Sequence, residues 1–194
     1  MSRRGYNNAI ARRNQELSTA IRGKVTPKNA DLILADISGS MDSEAVGGRR
    51  KYNCLQDALA PLKGKAHAIA FNSSVHEVDT DALPPPYGGT NMADALARAN
   101  TLDPLHVLVI SDGCPDMVDR TLEQARLLSE QCIIDTLYIG PSDMVSAIEL
   151  MQEIARIGNG RAMVFDLEKP QQQLLGSVVD SLLMIGGPSE TIKL

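Results

Sequence analysis

Aromatic residues are scarce: four Tyr, two Phe and no Trp in a chain of 194 residues. Stacking platforms for unpaired bases are therefore missing, and the core must be built from Ile, Leu, Val, Ala and Met. Cysteine is equally thin. Cys54, Cys114 and Cys132 are odd in number and widely separated. That pattern fits neither a disulfide framework nor a zinc cluster, and it predicts a reducing cytoplasm. Long apolar runs are lacking too. The longest late stretch, Leu174 to Ile185, is interrupted by Gly176, Asp180 and Ser181 and is too short to span a bilayer. The polar opening Ser2-Arg3-Arg4-Gly5-Tyr6-Asn7-Asn8 is not followed by the apolar core of a secretory leader. Together these absences predict a cytoplasmic protein that does not engage a membrane.

A net charge of −5 conceals two regions of opposite sign. Residues 1–30 hold seven Lys or Arg against one Glu, whereas residues 31–194 hold twelve basic and twenty-three acidic groups. The acidic body argues against general nucleic-acid binding. The basic head has three readings: contact with a phosphate backbone, docking on the chain's own acidic surface, or exposure to solvent or a protein partner.

The length suits one main domain. Ile10, Leu17 and Ile21 recur at near-helical spacing ahead of Gly23 and Pro27, which predicts a basic helical extension over residues 1–28. Residues 29–185 then alternate strand and helix patterns. Apolar runs predict strands at 31–35, 66–71, 75–78, 106–110, 133–139 and 161–165. Helical periodicity predicts helices over 49–63, from Met92 to Leu102, and over 119–131, 143–157 and 170–185. Such alternation indicates an α/β sheet with helices on both faces. Pro84-Pro85-Pro86 cannot lie in a central strand and reads as a stiff loop. Residues 186–194 read as a tail.

Two of the strands end in aspartate. Leu32-Ile33-Leu34-Ala35 runs into Asp36-Ile37-Ser38-Gly39-Ser40-Met41, and His106-Val107-Leu108-Val109-Ile110 runs into Ser111-Asp112-Gly113. A lone carboxylate is costly in a dry core, so each Asp should mark the edge of the sheet. In open α/β sheets that carboxyl edge is where ligands bind. If the strands are parallel neighbours, both carboxylates emerge together, and Thr90 follows Gly88-Gly89 at the start of the next helix. Ser38-Gly39-Ser40 alone could equally be a plain turn, and Thr90 a plain helix cap. Taken together, Asp36, Ser38, Ser40, Thr90 and Asp112 offer two carboxylates and three hydroxyls. Two carboxylates held close repel, and a divalent cation removes that conflict. Hard oxygens suit Mg²⁺, with Ca²⁺ or Mn²⁺ as substitutes.

These residues resemble a known family. Asp36-Ile37-Ser38-Gly39-Ser40 is similar to the Asp-x-Ser-x-Ser element of von Willebrand factor A domains, Thr90 to the family's single threonine, and Asp112 to its later aspartate behind an apolar strand. The resemblance covers residues 29–185. It implies a doubly wound, Rossmann-like, mostly parallel six-stranded sheet with one antiparallel edge strand. It also implies a metal-ion-dependent adhesion site, in which Ser38, Ser40 and Thr90 are direct or near-direct ligands and Asp36 and Asp112 act through water. Gly88-Gly89-Thr90-Asn91-Met92 and Ser111-Asp112-Gly113-Cys114-Pro115-Asp116 look like intracellular bacterial or phage members of that family.

The expected function is a metal-dependent binding module whose ion accepts an Asp or Glu side chain from a protein partner. Loops around 43–48 and 79–89 are expected to form the rim. One alternative is a structural subunit of an ATPase-associated assembly, joined through residues 1–28 or the helical faces. A second is a Mg²⁺-dependent phosphoester hydrolase, but Ser38 stands where the aspartyl-phosphatase pattern wants a second Asp. Ser38 and Ser40 also lack a nearby base in sequence, and no phosphate-binding Gly-rich loop ends in Lys-Ser or Lys-Thr. A non-enzymatic role is therefore expected. His67, His76 and His106 show no ligand spacing, and Asp116 is expected to shape the turn into the following helix.

Overall fold

The computed structural model describes residues 31–44 and 48–166, together with Val179. The proposed extension over 1–28, the tail over 186–194 and, apart from Val179, the helix over 170–185 lie outside the described residues. Six strands form one sheet: β1 (Asp31–Asp36), β2 (His67–Phe71), β3 (Val75–Val78), β4 (His106–Ser111), β5 (Ile133–Ile139) and β6 (Asn159–Phe165). Their spatial order is β3-β2-β1-β4-β5-β6. Only β3 runs antiparallel, against β2; every other pairing is parallel. The sheet has the expected class and the expected antiparallel edge.

Alternation along the strands makes two cores. Leu32 and Leu34 of β1, with Val107 and Val109 of β4, face one side, where α2 (Met92–Asn100), α3 (Val118–Ser129) and α4 (Val145–Ile157) pack. Ile33, Ala35, Leu108 and Ile110 face the other, against α1 (Lys51–Leu59) and Val179. Both central strands are thus covered twice, which is why they read as unbroken apolar runs. The edge strand β3 is partly exposed and polar, and its Glu77 accepts a hydrogen bond from Arg98 Nε of α2 at 2.8 Å. A charged, partly covered strand of this kind resists pairing with another chain.

Boundaries moved where backbone chemistry intervenes. The helix expected over 49–63 stops at Leu59 and tightens into a 3-10 turn over Ala60–Leu62 that contains Pro61. Proline has no N–H for an interior helical bond. The last described strand begins at Asn159, two residues earlier than expected, with a register shift between Ile134 and Thr136. The Pro84-Pro85-Pro86 segment is an irregular loop, anchored where Tyr52 Oη donates to the Leu83 carbonyl at 2.6 Å.

Candidate functional site

β1 pairs directly with β4, with Ala35 beside Ile110, so Asp36 and Asp112 leave the sheet at the same edge. Both are buried: Asp36 is wholly inaccessible and Asp112 is 4% exposed. Asp36 Oδ1 accepts the Ser38 N–H at 2.7 Å, and Oδ2 accepts the Ser111 hydroxyl at 2.5 Å. The hydroxyls of Ser38 and Ser40 share a hydrogen bond of 2.9 Å, and Ser40 Oγ donates to Asp112 Oδ1 at 2.8 Å. Four of the five expected residues are therefore joined in one hydrogen-bonded run, in which the Ser38 N–H links Asp36 to the two serine hydroxyls and Asp112. Burial pushes the Asp36 carboxyl up to about 6, against the opposing hydrogen bonds from Ser111 and Ser38.

Thr90 joins the loop after β4 through its backbone. Its N–H donates to Asp116 Oδ2 at 3.0 Å, and its carbonyl accepts the Asp116 N–H at 3.0 Å. Gly39 N–H donates to the Gly88 carbonyl at 3.0 Å, and Tyr87 N–H to that of Ile37 at 3.0 Å. Main-chain bonds thus tie together three loops that are distant in sequence. The two glycines permit the approach. Gly88 sits at φ +74°, and a Cβ on Gly89 would lie 2.6 Å from Asp116 Oδ2. The cap of α2 is Asn91, whose side chain accepts the Asp94 N–H at 3.2 Å, so capping does not account for Thr90.

Three residues escape a reading of the sequence. Lys51, the first residue of α1, places Nζ 2.8 Å from Asp112 Oδ2. Ser111, the last residue of β4, holds Asp36. Asp116 ties two loops together, where only a local turn was expected of it. Each acts across long stretches of chain, and no local pattern announces such a contact. The rim also extends beyond the expected loops. Met117 and Val118 at the start of α3, and Met144 and Val145 at the start of α4, are exposed at this same edge, as is Tyr87.

The donor set fits a hard divalent ion. Asp36 and Asp112 would supply carboxylates, and Ser38, Ser40 and Thr90 would supply neutral hydroxyls. Among the described residues, no three His, Cys, Asp or Glu side chains gather as a metal-holding group, so hydroxyl oxygens would have to complete the shell of any ion here. Among the described residues, the buried Asp36 carboxylate has only neutral donors as partners, and such a group is stabilised by a nearby cation. Catalysis has no comparable support. Ser40 donates to a carboxylate and bonds Ser38, not a histidine. His106 lies among carboxylates near the opposite edge, His76 lies against Ser74, and His67 is exposed.

Residues 73–164 match the family described as von Willebrand factor type A domain. No curated protein matches the sequence. Among solved structures, the chain is similar to an aerotolerance-related membrane protein from Bacteroides fragilis, with 16% identity and a TM-score of 0.64 over 79% of this chain and 96% of that one. It is also similar to BatB from Bacteroides thetaiotaomicron, with 17% identity and a TM-score of 0.58 over 79% and 98%. A von Willebrand factor type A protein from Catenulispora acidiphila gives 16% and 0.61 over 82% and 42%. At these identities the likeness is one of fold, and the fold is that of a von Willebrand factor type A domain. The expectation of a cytoplasmic location is corrected by the same comparison. The Bacteroides fragilis protein of this fold is described as a membrane protein, so the cysteine pattern and the polar residues 2–8 do not assign a compartment. Among the described residues, no helix is long and apolar enough to cross a membrane.

Proposed function

We propose that this von Willebrand factor type A fold binds a divalent cation, Mg²⁺ by donor chemistry, and uses it to capture an acidic side chain of a protein partner. Asp36, Ser38, Ser40, Thr90 and Asp112 would hold the ion, with Ca²⁺ or Mn²⁺ able to replace it. The observation that carries this reading is the hydrogen-bonded run from Asp36 through the Ser38 N–H and the Ser38 and Ser40 hydroxyls to Asp112, gathered at the carboxyl edge of the two central strands. When bound, the ion supplies a positive centre with exchangeable coordination positions. The hydroxyls add no negative charge, so an incoming carboxylate is not repelled as it would be by an all-carboxylate cage. Exposed Tyr87, Met117, Val118, Met144 and Val145 surround that edge with apolar surface. Such surface suits a partner whose acidic residue is flanked by apolar ones. Within the family, the loops at 88–92 and 111–116 resemble bacterial or phage members. Membership of an ATPase-associated assembly, joined through residues 1–28 or the helical faces, is the second reading.

Calorimetric titration of the full chain with Mg²⁺ and Mn²⁺ tests the cation site. The expected result is saturable binding at one site, abolished by Asp112→Ala without loss of the circular dichroism of the fold. Absence of binding in the unaltered chain would overturn it. The partner step is tested by affinity capture in Mg²⁺ against chelator. A partner retained equally in both, and equally by Asp112→Ala, removes the metal-mediated mechanism.

A further inference from the structure

The cation reading leaves Lys51 unexplained. Its Nζ lies 2.8 Å from Asp112 Oδ2; its side chain is 12% exposed and that of Asp112 is fully buried. The other oxygen of Asp112 already accepts Ser40 Oγ. Both oxygens are thus occupied, one by a hydroxyl and one by a positive charge. Lys51 is not placed there by chance of a long, free side chain. Its backbone N–H donates to the Ser43 carbonyl at 3.1 Å, and the Ser43 N–H and hydroxyl both bond the Ser40 carbonyl, at 3.1 and 2.7 Å. The segment that presents the two serines therefore also fixes the root of the lysine.

We infer that Lys51 is an internal counter-cation of Asp112, which a divalent ion must displace, so that this side chain sets the affinity of the site for its ion. The inference rests on the cation reading above. An ammonium and a divalent ion cannot share one carboxylate at contact distance, because like charges so close repel strongly where water is excluded. An ammonium has three donors and no acceptor, so it satisfies a carboxylate by hydrogen bonding but offers a partner's carboxylate no coordination position. With Lys51 in place, the Asp112 half of the site is neutralised and closed. When the ion enters, the ammonium swings outward. Among the described residues, Asp36 has no such internal cation, so exchange at Asp112 governs entry.

Two measurements on the full chain test this. First, Mn²⁺ affinity is measured for the unaltered protein, Lys51→Met and Lys51→Arg. Removing the charge should tighten Mn²⁺ binding by roughly tenfold or more, on the scale of changes to groups that contact metal ligands. Keeping the charge as Arg should not. A purely structural role predicts the reverse, with Lys51→Met weakening binding or leaving it unchanged, and that result overturns the inference. Second, acetylation of Lys51 in the unaltered protein is followed by mass spectrometry with and without Mn²⁺, which needs no folded variant. Labelling should rise several-fold as the ion saturates; Mn²⁺ binding without any rise overturns the inference while leaving the cation site intact. If no form of the protein binds Mn²⁺, the cation reading and this inference fall together.

Discussion

Asp36 and Asp135 are both buried carboxylates of one sheet, at opposite edges of it. Asp36 ends β1 at the carboxyl edge. Asp135 lies near the start of β5, beside Leu108. At Asp135, burial pushes the carboxyl up, but hydrogen bonds from His106 and from the Arg161 backbone and guanidinium outweigh it and hold it below the usual carboxylate range. Those contacts are 3.2 Å to His106 Nε2, 2.6 Å to the Arg161 N–H and 3.0 Å to Arg161 Nη2. At Asp36 the partners are a backbone N–H and a serine hydroxyl, and burial wins, pushing the carboxyl up to about 6. The difference lies in the charge of the partners. One carboxylate is completed by the protein's own cationic and strongly donating groups and serves the fold. The other is left short of positive charge, and that shortage is what an ion would remedy.

The contrast can be broken by exchanging roles. Asp36→Ala should lower Mn²⁺ affinity by more than about 100-fold, beyond the 10–100-fold typical of groups one shell out, while urea unfolding of the metal-free chain is nearly unchanged or shows a gain. Asp135→Ala should do the opposite: Mn²⁺ affinity within about twofold, and a loss of roughly 3 kcal/mol in urea unfolding, because Arg161 and His106 lose a buried partner. Weakened ion binding in folded Asp135→Ala would erase the comparison.

Acid sharpens the same distinction. The folded-state value of Asp135 is depressed, so its stabilisation is present above the unfolded value near 3.9 and is lost as pH falls through the folded one. The stability gap between the unaltered protein and Asp135→Asn should therefore hold steady from about pH 7 to about pH 5 and narrow below about pH 4. Thermal melts across that range check it; a gap that widens in acid would reverse the assignment.

The smallest effect is expected at Ser111, which donates to Asp36 Oδ2. Ser111→Ala should weaken Mn²⁺ binding about tenfold and cost about 1–2 kcal/mol in unfolding. Unchanged ion affinity would show that Asp36 needs no such orientation.

Much of this was legible in the chain before any coordinates. Apolar runs of β1 and β4 closing on Asp36 and Asp112 announced both the carboxyl edge and the two carboxylates, because burial on both faces leaves a continuous hydrophobic signal. Thr90 was found from its two preceding glycines, although its link to the site is through the backbone. What stayed hidden depends on contacts between distant residues. Lys51 meets a carboxylate 61 positions away, Ser111 one that is 75 positions away, and Asp116 a backbone 26 positions away. His106 shows no ligand spacing in the sequence; it is buried between Asp31 and Asp135, which only strand pairing could bring beside it. Compartment was misjudged from composition, which records chemistry tolerated and not address.

The bonds from Gly39 to Gly88 and from Tyr87 to Ile37 carry the line of peptide pairing past the last residue of β1. A tug on the serines from outside would therefore be shared among amide–carbonyl links that enter a central strand of the sheet, and would not fall on one loop alone.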